Sequence, residues 1–154
     1  MKQEKSKISV LMSVYKKENP EYLRASLESI LVQTRTADEI LLIEDGPLTQ
    51  ELYQVVAEYQ KKCDYLHVHA MEQNVQLGRA LAKGVELCKY DLIARMDTDD
   101  IAMPDRLEKE GAYMEAHPEV DVVGGAIREF NDEGTIDRVK NMPKTQEEIL
   151  EYVK

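Results

Sequence analysis

Three carboxylates stand within four residues at Asp97–Thr98–Asp99–Asp100, directly after the apolar run Leu92–Met96. Acids this close repel one another strongly at low effective dielectric unless solvent or a cation relieves them. At the end of a strand such a group can hold a hard divalent ion, with an anionic ligand on the ion's far side. On spacing alone the plainer reading is a solvated acidic turn, with Asp105 following as a helix cap.

Other residues offer chemistry of their own. Asp45, in Glu44–Asp45–Gly46–Pro47, can accept from a ligand N–H while Gly46 lets backbone approach; it is equally a turn residue that needs no ligand. Tyr15 can stack on a planar base or serve as a half-buried aromatic. His67 and His69 alternate on one run and could face one metal, but no acid or cysteine accompanies them, so an edge-strand or surface pair is the stronger reading. His117 fits a helix C-terminus, where a cation suits the dipole. No G-x-G-x-x-G follows the first strand, and no G-x-x-x-x-G-K-[ST] or G-x-S-x-G is present. A dinucleotide site of the Rossmann fingerprint type, a P-loop and a nucleophile elbow are therefore disfavoured.

The elements that must carry these residues alternate. Ile8–Tyr15 reads as a buried strand. Asn19–Pro20 starts a helix, and Leu23, Leu27, Ile30 and Leu31 give it an apolar stripe of about four turns. Ile40–Ile43 is a second strand; Leu52, Val55, Val56 and Tyr59 mark a helix capped by Thr49. Leu66–Ala70 is a third strand, followed by a helix with Leu77, Leu81, Val85 and Cys88. Leu92–Met96 is the fourth strand. Pro104–Ala116 is expected to be a helix sending Met103, Leu107 and Met114 toward the core, closed by His117–Pro118. Val120–Ile127 is strand-like but interrupted by Gly124–Gly125; a turn at Gly134 and a helix from Thr145 complete the chain. Alternation of this kind predicts an α/β fold with a mostly parallel sheet covered on both faces. Its ligand site lies at the carboxyl ends of the strands, where Ser13–Tyr15, Asp45 and the acid cluster all fall. Three polar clusters on one sheet edge shift the balance toward a ligand site.

Composition bounds the partners. The 154 residues suit a single domain, 1–154, with 43% apolar and 32% charged residues. A formal charge of −10 disfavours nucleic acid, yet allows a small phosphorylated ligand if a metal supplies positive charge. Cys63 and Cys88 lack metal-ligand spacing and read as reduced thiols. No run approaches the ~20 apolar residues of a membrane span, and no signal peptide is visible, so a cytoplasmic setting is expected. A phospho-receiver pocket needs acids after strand one, where Ser13–Val14–Tyr15 is followed by Lys16–Lys17.

The chain resembles the family-2 glycosyltransferases of the glycosyltransferase A-type, Rossmann-like fold. The resemblance is carried by Ser9–Tyr15, Leu27–Thr34, Glu44–Pro47, Ala94–Asp100, Pro104–Leu107 and Val122–Gly124, in family order between Ile8 and Phe130. It is closest to bacterial enzymes that build surface polysaccharides. The resemblance implies inverting, metal-dependent transfer from a nucleotide sugar, a UDP-sugar being favoured, to a glycan or lipid-linked acceptor, in the cytoplasm or at the inner membrane face. Ser13 and Tyr15 would line the nucleotide pocket and Asp45 would hold the base. Asp97 and Asp99 would lie near the ribose and diphosphate, with Asp99 and Asp100 binding Mn²⁺ or Mg²⁺. Two features depart from the pattern: Gln76 stands where the subgroup usually has Gly, and Ala82 where it has Asn. Family catalytic domains also continue past the position of Lys154 with the acceptor site and the catalytic acid, so the chain is expected to be the donor-binding portion. Glu129 and Asp132 are late acids to which no catalytic role is assigned. The alternative is a nucleotide-sugar-binding fragment without transfer. An incomplete sheet would also leave apolar surface near Val120–Ile127 and favour self-association.

Overall fold

The computed structural model describes residues 5–131 and 136–152. They divide into two compact units, residues 1–116 and 117–154. The first unit alternates without exception: β1 (Ile8–Val14), α1 (Pro20–Leu31), β2 (Glu39–Glu44), α2 (Gln50–Lys62), β3 (Leu66–Ala70), α3 (Leu77–Leu87), β4 (Leu92–Asp97) and α4 (Arg106–Ala116). The four strands form one sheet in the order β3-β2-β1-β4, and every pairing is parallel. The chain steps outward from β1 to β3, then returns to place β4 on the other side of β1. Loops leaving β1 and β4 therefore part in opposite directions and open a crevice at the carboxyl edge.

Side-chain alternation along β1 builds two cores. Val10, Met12 and Val14 belong to a cluster with Leu23, Leu27 and Ile30 of α1, Leu52 and Val56 of α2, and Leu107 of α4. Leu11 faces the opposite way, with Leu41, Ile43 and Ala80. Full burial of each such Leu, Ile or Val contributes about 1.5–3 kcal/mol, which fixes register: a one-residue slip would exchange the two faces. Helix starts follow local chemistry. Asn19 accepts from Glu21 N–H at 2.8 Å ahead of Pro20, and Thr49 accepts from Leu52 N–H at 3.4 Å.

Two expected core contributions differ. In α3, Leu77 and Val85 are exposed, while Ala80 and Gly84 are buried. The helix approaches the sheet so closely that a Cβ on Gly84 would overlap a Leu11 methyl; small residues meet the strands and larger ones flank them. Met103 is exposed because α4 begins only at Arg106 and the preceding turn carries the side chain outward. His67 and His69 lie on the edge strand β3, with His67 Nε2 2.8 Å from Lys89 Nζ. Cys63 and Cys88 are free thiols.

The second unit holds an antiparallel pair, β5 (Ile127–Phe130) and β6 (Asp137–Lys140), and α5 (Gln146–Tyr152). Arg128 grips Asp137 through two 2.7 Å bonds, and Arg138 pairs with Glu129. The expected strand over Val120–Ile127 is a correction: extended pairing starts only at Ile127, since Gly124–Gly125 weaken the earlier part. The Gly134 turn and Asp132 lie outside the described residues. Thr145 and Glu148 form a reciprocal cap on α5, Thr145 Oγ1 accepting from Glu148 N–H at 3.3 Å and Glu148 Oε2 accepting from Thr145 N–H at 3.2 Å. Among the described residues no helix is long and apolar enough to cross a membrane.

Candidate functional site

The carboxyl ends of β1, β2 and β4 bring the sequence-nominated residues to one edge. Ser13 is the register partner of both Ile43 and Asp97. Tyr15 follows β1 and is exposed. Asp45 follows β2, and its N–H donates to Val14 O at 2.8 Å. Asp97 ends β4, and Asp99 and Asp100 follow it into solvent.

The acid loop is crowded with negative charge. Asp97 pairs with Arg95, two residues back on the same strand face. Partial desolvation of its carboxyl raises the Asp100 pKa, and the charges of Asp99 and Asp97 push it further up against the pull of Arg95 and Arg106. Among the described residues no group of three or more His, Cys, Asp or Glu side chains is placed to enclose an ion. A hard ion that bridges phosphate oxygens takes only one or two carboxylates from the protein. Two exposed carboxylates in a negative field that Arg95 and Arg106 only partly offset fit that demand.

Asp45 behaves differently. It is buried, and its carboxylate accepts from Val75 N–H at 2.6 Å and Asn74 Nδ2 at 2.9 Å. It thereby pins the segment leading into α3. Gly46 makes the close approach possible: its φ is +82°, and a Cβ there would lie 2.6 Å from Asn74 N. Gln76, at the start of α3, adopts φ +73° and ψ 152°, a region that glycine tolerates far better than other residues.

Sequence reasoning missed the residues that hold the acid loop from behind. Ser26 Oγ donates to Asp97 O at 2.9 Å, and Ser29 Oγ accepts from Ala102 N–H at 3.0 Å. Gln33 donates to Met103 O at 2.8 Å and accepts from Leu107 N–H at 3.0 Å. Thr98 Oγ1 lies 2.6 Å from Glu18 Oε2 and 3.3 Å from Ser13 O. The sequence marks Ser26 and Ser29 only as polar residues beside the apolar stripe of α1, and nothing in it names the segment they reach.

An open parallel sheet whose polar loops gather where strand order reverses is the architecture of a nucleotide-type ligand site. Residues 9–153 match the family described as Glycosyl transferase family 2, and the chain belongs to that family. It is 47% identical over 147 residues to an uncharacterized glycosyltransferase of Haemophilus influenzae, covering 95% of this chain and 55% of that protein. It is 43% identical over 146 residues to the amylovoran biosynthesis glycosyltransferase AmsE of Erwinia amylovora, covering 95% and 54%. A similarity of 34% over 160 residues links it to the Escherichia coli UDP-Gal:alpha-D-GlcNAc-diphosphoundecaprenol beta-1,3-galactosyltransferase, covering 100% and 56%. The chain thus spans about half the length of these relatives.

Among solved structures, residues 1–349 of Staphylococcus aureus TarS with UDP-GlcNAc align at TM-score 0.64 and 23% identity, covering 73% of this chain and 32% of that one. A Pyrobaculum calidifontis mannosyltransferase with GDP-Man and Mn²⁺ aligns at TM-score 0.62 and 16% identity, covering 81% and 35%. At these identities the likeness speaks to the fold, which is of the glycosyltransferase A type.

Proposed function

We propose that this chain is the donor-binding portion of a metal-assisted glycosyltransferase that takes its sugar from a UDP-sugar. One observation carries the reading: in a family-2 chain, the acid loop ends β4 directly beside Ser13, at the point where strand order reverses. Ser13 and Tyr15 line the nucleoside side. Asp45 holds the base-side segment and offers a remaining lone pair to a ring N–H, since a carboxylate has about four acceptor positions. Asp97 and Asp99 face the ribose and diphosphate, and Asp99 with Asp100 would hold Mn²⁺ or Mg²⁺. Such an ion supplies Lewis-acid stabilisation of the departing diphosphate. The acceptor in this reading is a glycan or a lipid-linked sugar in surface-polysaccharide biosynthesis, with inversion at the anomeric carbon; the Erwinia amylovora relative is named for amylovoran biosynthesis and the Escherichia coli one for transfer to a diphosphoundecaprenol-linked GlcNAc. The reaction is set on the inner, cytoplasmic side of the membrane.

In a second reading, residues 1–154 are one donor-binding domain that binds the nucleotide sugar without transferring it and self-associates through the exposed apolar side chains Val122 and Ile127. Calorimetry with UDP separates the possibilities at the first step. Binding in Mn²⁺ that is lost in chelator is expected, and equal binding in chelator refutes the metal-assisted site. A transfer assay over a panel of lipid-linked acceptors, run with light scattering, then divides the two readings. Robust transfer by a monodisperse monomer would eliminate the second.

A further inference from the structure

We infer that Ser26 of α1 and Thr98 within the acid loop are positioning residues that hold Asp97–Asp100 in an ion-receiving arrangement before any ion arrives. The inference deepens the donor-site reading and rests on it for the ion; the ordering of the loop is read separately from binding.

The argument begins with cost. Ser26 and Thr98 are fully or nearly fully buried, and Ser29 and Gln33 are close to it. Burying a hydroxyl or amide is unfavourable unless it finds a partner. An apolar residue would serve a packed helix face better, so the polar choice needs a reason. In this molecule the reason is the segment 97–107, whose backbone groups are reached in order by Ser26 and Ser29 of α1 and by Gln33, two residues past its end. The backbone adds one more tie, Thr34 N–H to Pro104 O at 2.8 Å.

Thr98 secures the other side. Its hydroxyl has one proton, and the 2.6 Å contact makes the Glu18 carboxylate its acceptor. The same carboxylate accepts from Asn19 N–H at 2.8 Å, at the start of α1. The turn after β1, the head of α1 and the acid loop are therefore joined through two side chains. Charge gives the ties their purpose. Left alone, three neighbouring carboxylates would spread apart. Bonds from α1 and Glu18 fix the backbone that carries them without the ion's help, and ordering done in advance need not be done on binding.

Ser26→Ala, Thr98→Val and their combination test this on the full chain, with Thr98→Ser as the rescue. Amide exchange by NMR in the ligand-free protein should quicken about fivefold at residues 97–101 in each single variant, and more in the double, with β1 and β2 amides unchanged. Metal-dependent UDP affinity should fall by a like factor while binding of uridine, which has no diphosphate, stays the same. Thr98→Ser should restore both. Unchanged exchange in the loop overturns the inference, as does an equal increase across β1 and β2, which would mark a general loss of stability. Loosening without loss of metal-dependent affinity overturns it too. Should the unmodified chain fail to bind UDP with metal, the donor-site reading falls, and the exchange pattern alone decides whether these residues position the loop.

Discussion

The base-side loop after β2 and the acid loop after β4 both present aspartates at one sheet edge, yet they are built in opposite ways. After β2, the aspartate itself is the support: Asp45 is buried and its carboxylate holds Val75 and Asn74. After β4, the support comes from other residues, while Asp99 and Asp100 stay in solvent. The difference separates two duties that a sequence writes with the same letter. An acid that holds backbone is paid for by its own bonds, and its loss disturbs the fold. An acid held in place by neighbours is left available for a ligand, and its loss should disturb only binding.

Asp45→Ala should have the largest effect on stability. It removes two hydrogen bonds to a charged acceptor and leaves the Val75 N–H and the Asn74 amide without it. At about 1.5–3 kcal/mol per charged bond, partly recovered by water, a loss of about 2–4 kcal/mol is expected in urea unfolding at pH 7. UDP affinity should fall as well, even at saturating Mn²⁺. A variant as stable as the parent would erase the contrast between the loops.

Asp99→Asn should show the reverse pattern. Unfolding should be unchanged or slightly improved, because one of three crowded charges is removed. Metal-dependent UDP binding should weaken by about tenfold or more, the effect of losing a charge-assisted contact. Combined with Asp45→Ala, the two affinity losses should add, as for sites with no shared partner. Strong coupling in a double-mutant cycle would place Asp45 at the metal and merge the two loops into one functional unit.

Gln76 sharpens the picture of the base-side loop. Among the described residues it is the non-glycine with positive φ, at the position where resembling chains carry glycine. The conformation costs about 1–3 kcal/mol for a residue with a Cβ. Gln76→Gly should therefore stabilise the chain, by about 1 kcal/mol after glycine's greater unfolded-state entropy is subtracted. Thermal and urea unfolding both read this. A loss of stability would mean that the glutamine side chain makes contacts worth more than the strain.

Much of this organisation was readable in the residues. Strands β1 and β2 announce themselves as buried, largely apolar runs, the edge strands β3 and β4 as shorter apolar stretches broken by His67, His69 and Arg95, and the caps at Asn19 and Thr49 bound their helices chemically. Placement of Ser13, Asp45 and Asp97 at one edge followed from alternation alone. The inner face of α3 was harder: Ala80 and Gly84 carry too little hydrophobicity to outweigh Leu77 and Val85 in any periodic reading, yet closeness of approach selects small residues. Pairing of β5 with β6 was hidden because its register depends on Arg128–Asp137 and Arg138–Glu129, contacts between charges nine residues apart. The support of the acid loop was illegible for a related reason. Ser26 and Thr98 do their work across 71 and 80 residues of chain, and a hydroxyl gives no hint in sequence of which distant carbonyl or carboxylate it will meet.

The smallest expected effect comes from Glu44, the neighbour of Asp45, and it isolates burial from bonding. Glu44 is buried at the end of β2, and desolvation raises its pKa above the ordinary carboxylate value. Native protein then holds this proton more tightly than unfolded chain. As pH rises from the ordinary value through the raised native one, the unfolded state releases its proton first, so the contribution of Glu44 to stability declines and its full penalty is present above the raised native value. Glu44→Gln removes that titration. The variant should be modestly more stable than the parent at pH 7, with the advantage shrinking toward zero as pH falls below the ordinary carboxylate pKa. Urea unfolding of both proteins across that range measures it. A difference that does not vary with pH would show that Glu44 is ionised equally in both states, and that burial at this strand end carries no electrostatic penalty.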